Sequence, residues 1–424
     1  MSTISSTAVD NIKRIVDAAV ANPTKDLPGA SVVVVNRRGD LLIDYAAGLQ
    51  GLEPGANPLK SNAVYWLASC TKLAVAALAL VAVEEGKIFL DDSKQIEKLC
   101  PELRSIPILE SIDKETGKIV LVPKTKKITL RMLLTHTAGF SYTHLNPKLA
   151  AYGRIFGINE GTGLDSSVLM PLISEPGTRF SYGVGVDWAA NAITRAYNRT
   201  LDDLIQEKLF VPIGIKDTTF IPNKDMKDRT VTVSFRKNDG TLVPTPRLKH
   251  RAQAEDPTYA ASGYQYGGSG LYTTPPEFSK LFATLLNGGV SPYTNTRVLS
   301  QASVDEMFTN QIPDWPDFGR QYPMTSCIPA VANSLPEIFH QPGNPPQGWG
   351  LTFFLNLVPL STGRRAYSAY WCGISNLYYW IDREAGIAAF VSAQILPFSD
   401  EKMIRFVDKV EREIYKGLQE KPKL

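Results

Sequence analysis

The sequence predicts an α/β (α+β) fold. We expect a central antiparallel sheet flanked by helices, with a mainly helical region inserted into it. Three observations carry this expectation. A strongly β-branched hairpin stands near the N-terminus, at residues 31–46. Apolar strand segments return near the C-terminus, between residues 351 and 393. The intervening stretch, from about 69 to 225, reads mostly as helices and loops. Strands from both ends with helices between them make a layered α/β architecture.

The elements follow in order. Val9, Ile12, Val16 and Ala19 recur at helical spacing, so the chain opens with a helix. Ser31 to Asn36 is the first strand, and Arg38-Gly39-Asp40 turns it into Leu41 to Ala46. Leu73 to Val83 is apolar on every side and reads as a buried helix. Helices are also expected at 130–134, 187–197 and 201–209. Pro275 to Leu286 is a helix with proline at its start and Gly288-Gly289 past its end. Residues 311–349 are rich in proline and glycine, with Trp315, Phe318, Tyr322 and Trp349 among them. A loop that long suggests a lid or pocket wall. Strands are expected at 351–357, 366–370, 377–381 and 387–393, and a charged amphipathic helix at 400–415. We divide the chain as one domain, 1–424, with about 1–70 and 260–424 forming the sheet region and about 71–259 the helical and loop region.

Composition narrows the function. The net charge is +3, with acids and bases intermixed, so no basic stripe offers itself to nucleic acid. No stretch is both long enough and free enough of charge to span a bilayer. Met1 to Ala21 lacks the continuous apolar core of a secretory signal. Cys70, Cys100, Cys327 and Cys372 are few and widely spaced, as in a reduced, cytoplasmic protein. His136, His144, His250 and His340 lack metal-ligand spacing, so we expect no metal and no cofactor.

The chemistry points to Ser69-Cys70-Thr71-Lys72, at the head of the buried helix. Residues three apart share a helix face, with Cβ atoms roughly 5–6 Å apart. The lysine amine can therefore reach the serine hydroxyl. Serine is a weak nucleophile until a neighbouring base takes its proton, and lysine is such a base only where burial lowers its pKa. By itself the pattern also fits a helix cap followed by a solvated lysine.

Two further stretches bear on the choice. Tyr182 lies in a glycine-flanked loop, Phe180 to Gly183, where unusual backbone angles would expose its phenol for proton relay. Trp371-Cys372-Gly373-Ile374 lies between two strand segments, where a nearby backbone N–H could stabilise an oxyanion. Each also fits a plain packed loop or turn.

Together, in this order and spacing, the three stretches resemble the serine β-lactamase and penicillin-binding-protein superfamily, its class C and esterase branch in particular. Leu133 to Gly139, Glu175 to Tyr182 and Gly267 to Tyr272 also look like segments of that branch. Leu134 to Tyr142 and Tyr182 to Trp188 are most similar to family VIII carboxylesterases and fungal statin-pathway acyltransferases. The resemblance spans roughly residues 8–415. It implies a β-lactamase/transpeptidase-like fold with Ser69 as the acylated nucleophile. Lys72 and Tyr182 would share the general-base role, and the backbone N–H groups of Ser69 and Ile374 would form the oxyanion hole. Cys70 reads as core, since adjacent helix residues do not face the same way.

The departures from that family matter as much. Penicillin-recognising enzymes usually carry Tyr-x-Asn and Lys-Thr-Gly; here the stretches are Tyr182-Gly183-Val184 and Trp371-Cys372-Gly373. An indole in place of a lysine removes a charge-assisted bond and adds an apolar wall. Uncharged or apolar carboxylic esters or thioesters therefore fit better than β-lactams or peptidoglycan. Trp371, Gly373, Tyr142, Trp188, Tyr264, Tyr266 and Tyr370 are the candidate substrate-binding residues. The expected partners are a small-molecule ester or thioester donor or an acyl-carrier protein donor, with water, an alcohol or an amine as acceptor. A catalytically silent binding protein on the same fold, or a β-lactamase or DD-peptidase, remains the alternative.

Overall fold

The structure, a computed structural model, describes residues 2–113, 115–160, 168–245 and 265–420. After a short strand, Ser2–Ile4, that pairs with Leu418–Glu420, comes α1 (Ser6–Ala19), capped by the Ser5 side chain. Its apolar stripe, Ala8, Ile12 and Val16, is buried. Strands β1 (Gly29–Asn36) and β2 (Leu41–Gly48) form the expected antiparallel hairpin. A 3-10 turn at Ala68–Cys70 leads into α2 (Thr71–Glu84), buried from Thr71 to Ala82. An all-apolar helix is stable only inside a core, and α2 runs through the middle of this one.

The region expected to be helical also carries a hairpin, β3 (Pro107–Ile112) with β4 (Ile119–Pro123). Sequence reading passes over it because a bulge between Leu109 and Ser111 breaks the alternation of the first strand. Then follow α3 (Leu130–Leu134), α4 (Gly185–Tyr197) and α5 (Pro275–Leu286). Between α4 and α5, Leu201–Ile205 is α-helical and continues into a π-helical turn at Gln206–Phe210.

The C-terminal strands are β5 (Gln347–Trp349), β6 (Phe354–Asn356), β7 (Ser368–Gly373), β8 (Leu377–Asp382) and β9 (Ile387–Ser392). They join the N-terminal hairpin in one seven-stranded sheet, ordered β5-β6-β7-β8-β9-β1-β2 and antiparallel throughout. The final helix, α6 (Glu401–Gly417), lies along α1, where the Gly417 carbonyl accepts from the Ser5 N–H at 3.0 Å.

Register assigns the two faces of the sheet. Trp371, Tyr379 and Phe390 are cross-strand neighbours. Phe282 of α5 packs on both Tyr379 and Phe390. Tyr370 and Trp380 are paired with each other. They share the Arg364 guanidinium, which Glu411 of α6 holds at 2.5 Å. Successive strand residues point to opposite faces. Trp371 and Tyr370 therefore belong to different layers.

Candidate active site

The 3-10 turn presents Ser69 ahead of α2. Ala68, fully buried, holds a left-handed φ of 46° there. Such a conformation costs roughly 1–3 kcal/mol and persists only where surrounding packing fixes it. Lys72 follows one turn later and is fully buried. Its Nζ lies 3.1 Å from Ser69 Oγ, 3.1 Å from the Tyr142 hydroxyl and 2.7 Å from the Gly268 carbonyl. Burial brings its amine down to about 8 from 10.5, opposed by Asp187, Cys372 and Cys70. A lysine titrating there exchanges protons near neutral pH, as a general base requires.

The Tyr182 phenol completes the cluster. Ser69 is its neighbour and favours its ionised form, and Lys72 Nζ sits 4.9 Å from its ring centroid. Burial pushes its pKa well up, so it stands as a neutral phenol. The Trp371 indole donates to its oxygen at 3.1 Å. The glycines around Tyr182 act differently from the sequence expectation. Neither Gly183 nor Gly185 has positive φ. A Cβ on Gly183 would lie 2.5 Å from Ser141 Cα, and one on Gly185 would lie 2.5 Å from the Leu133 carbonyl. The loop needs them for close packing against the 133–141 segment.

That segment contributes His136, which sequence reading weighed only as a metal ligand. Its ring is buried, with its centroid 4.5 Å from that of Tyr182. Nδ1 accepts the Gly183 N–H at 3.3 Å, which leaves the ring proton on Nε2, 3.4 Å from Thr352 Oγ1. Its carbonyl accepts from the Ser181 N–H at 2.8 Å. Burial, then Lys72, drive its pKa well below 6.5, so the ring is neutral. His136 thus fixes the Tyr182 loop. The available signal was its place in the Leu133 to Gly139 stretch.

The other candidate residues divide. Trp371 and Gly373 end strand β7, whereas the sequence placed them in a turn between strands. The turn begins at Ile374, which is partly buried. A Cβ on Gly373 would sit 2.7 Å from the Leu67 carbonyl, so the strand end lies directly against the Ser69 turn. Tyr142 contacts Lys72 and packs edge-on against Tyr182. Trp188 is core: it is 1% exposed, stacks on Phe140 and donates to the Val168 carbonyl. Tyr370 faces the opposite layer, for the alternation reason above. Tyr266 enters through its backbone, its carbonyl closing the turn at Ser269 and Gly270. Tyr264 lies outside the described residues. Residues 311–349 pack behind Trp371 and His136. Phe339 packs edge-on against Trp371, and Trp349 packs against both Trp371 and His136.

A serine, a buried lysine and a phenol gathered beside the end of strand β7 make an arrangement suited to acyl transfer. The family model described as Beta-lactamase matches residues 12–411. The chain belongs to that family. Within it, the chain is 28% identical to Monacolin J acid methylbutanoyltransferase of Aspergillus terreus over 410 residues, covering 94% of each chain. It is also 28% identical to Lovastatin esterase of Penicillium rubens over 401 residues, covering 93% of this chain and 95% of that one. Among solved structures it resembles Simvastatin Synthase from Aspergillus terreus, in a mutant form, with a TM-score of 0.79. The two are 26% identical, and the match covers 97% of this chain and 95% of that one. The expected fold and the resemblance to fungal statin-pathway acyltransferases are borne out. The relatives are named as acyltransferases and an esterase, so the family branch is enzymatic. No helix among the described residues is long and apolar enough to cross a membrane.

Proposed function

We propose that this protein is a serine acyltransferase of secondary metabolism. Ser69 would carry the acyl group, taken from an uncharged, largely apolar ester or thioester. The contact of Lys72 Nζ with Ser69 Oγ, 3.1 Å inside a buried setting, carries the reading. Lys72 takes the serine proton as Oγ attacks the carbonyl carbon. The backbone N–H groups of Ser69 and Ile374 hold the oxyanion. Tyr182 gives its proton to the departing alkoxide or thiolate and is recharged from Lys72. In the second half-reaction an acceptor hydroxyl or amine attacks the acyl carbon as its proton passes through Tyr182 to Lys72, and Lys72 returns a proton to Ser69 Oγ as the acyl–oxygen bond breaks.

The apolar packing of Trp349 and Phe339 around Trp371, beside Tyr182, supports an apolar donor. A site that excludes water favours an organic acceptor over hydrolysis. The donor would be a small-molecule ester or thioester, or an acyl group on a carrier protein. The four free cysteines suit a reducing compartment such as the cytoplasm. Hydrolysis is the second reading, favoured by the similarity to Lovastatin esterase.

The test is intact-protein mass spectrometry after mixing with short-chain activated esters and thioesters, beside Ser69→Ala. An added acyl mass on the unmutated protein alone supports the acyl-enzyme. Faster decay of that mass with an alcohol, accompanied by a new ester, supports transfer. Decay indifferent to every acceptor supports hydrolysis. With no adduct and no turnover, the protein would be a silent binder on this fold.

A further inference from the structure

Asp187 is a buried carboxylate that the mechanism above leaves unused. It is 4% exposed and sits in the first turn of α4, on the segment that continues from Tyr182. Among the described residues no cationic side chain pairs with it directly. Its Oδ1 instead accepts the Gly268 N–H at 2.9 Å. The carbonyl of the same Gly268 accepts from Lys72 Nζ at 2.7 Å. One glycine thus bridges carboxylate and amine. The backbone lies directly against the carboxylate, since a Cβ on residue 268 would stand 2.4 Å from Asp187 Oδ2. Neighbouring Gly267 is seated on the same helix, where a Cβ would meet Ala190 Cβ at 2.4 Å.

The amine is short of counter-charge. Ser69, Tyr142 and Tyr182 touch it, and Cys70, Cys372 and His136 act on it electrostatically. The two thiols are held protonated by burial, and His136 is neutral. Burial, and to a lesser degree Glu160, push the Asp187 carboxyl up, while Lys72 and the Gly268 N–H act to keep it ionised. Asp187 is the foremost group favouring the charged form of Lys72.

We propose that Asp187 is a positioning residue for Lys72, holding the Gly268 carbonyl against the amine and supplying the negative charge that steadies the ammonium. The proposal rests on the serine–lysine–tyrosine reading. It gives Tyr182 and Lys72 a common support: α4 begins beside one and, through Gly268, anchors the other.

The test is Asp187→Asn, which keeps an acceptor for the Gly268 N–H and deletes the charge. Acyl-enzyme formation is followed by mass spectrometry across pH, beside unmutated protein and Ser69→Ala. With the charge gone the ammonium is less favoured, so the pH at which acylation reaches its plateau should fall by about one unit. Asp187→Ser, which also loses reach to Gly268, should show the same fall and a lower plateau. A purely structural role would lower the thermal midpoint without moving the limb. An unmoved or raised limb in a folded variant overturns the proposal. Failure of both variants to fold also overturns it, since Asp187 would then be a packing residue. Labelling of Ser69→Ala by the ester would instead overturn the acyl-enzyme reading itself, whatever Asp187 does.

Discussion

The indole of Trp371 donates to the phenol of Tyr182 at 3.1 Å, with the two ring centroids 4.9 Å apart. The contact joins the end of β7 to the loop before α4. It gives the Tyr182 oxygen a neutral donor where penicillin-recognising relatives would place an ammonium. A neutral donor stabilises a developing phenolate but offers no cation to a substrate carboxylate. Trp371→Phe keeps the wall and removes the N–H. The acylation rate should fall about 10- to 100-fold, the worth of one hydrogen bond to a charged group. Single-turnover kinetics with an activated ester measure it, and an unchanged rate would mean the contact is packing alone.

Ser69→Ala should abolish the acyl adduct. Lys72→Ala and Tyr182→Phe should each slow acylation by about 100- to 10,000-fold, the usual range for a positioned acid or base. The double variant should be little worse than the slower single one, because the two groups move one proton chain. Fully additive losses in single-turnover rates would show that they act independently.

The pH profile should follow Lys72. Burial penalises its ammonium, so the free amine appears at a pH well below that of an ordinary lysine. Acylation should therefore rise with pH and level off above about 8. A limb near the ordinary lysine value of 10.5 would place the amine in water rather than in the core.

Gly373→Val should cut acylation about 100- to 1,000-fold, as removal of an oxyanion donor does. The new Cβ would stand 2.7 Å from the Leu67 carbonyl and push the strand end from the Ser69 turn. Donor binding measured on Ser69→Ala/Gly373→Val against Ser69→Ala should change far less than the rate. Equal losses in both would identify a substrate-binding defect instead.

On the opposite face, Glu411→Ala should leave the Arg364 guanidinium buried without its partner. Arg364 and Glu411 are both about 5% exposed or less. Breaking such a pair costs about 3–5 kcal/mol, read as a lower denaturant midpoint. Activity per folded molecule should hold, since α6 and Trp371 lie on different sides of the sheet. A selective loss of activity would link the two layers.

The helix from Leu73 to Val83 was legible because an apolar run admits only a buried helix, and α2 spans Thr71–Glu84. The 275–286 helix was legible for its proline start and Gly288-Gly289 stop, and its bounds agree. Ser69 and Lys72 were legible as a pair because helical periodicity alone brings three-apart residues to one face. Which aromatics line the site was not. Tyr370 and Trp371 are equally apolar neighbours, and only strand register decides that one meets Arg364 and the other Tyr182.

By itself the sequence determined the local matters: where the helices and most strands lie, and which serine and lysine stand together. Local geometry fixes such relations within a few residues. Tertiary structure alone decided the rest. It brought His136, Asp187 and Gly268 to the surroundings of the Lys72 amine and set the Trp371 indole on Tyr182, from segments far apart in the chain. Long-range packing makes those contacts, and no periodicity in a single sequence encodes them.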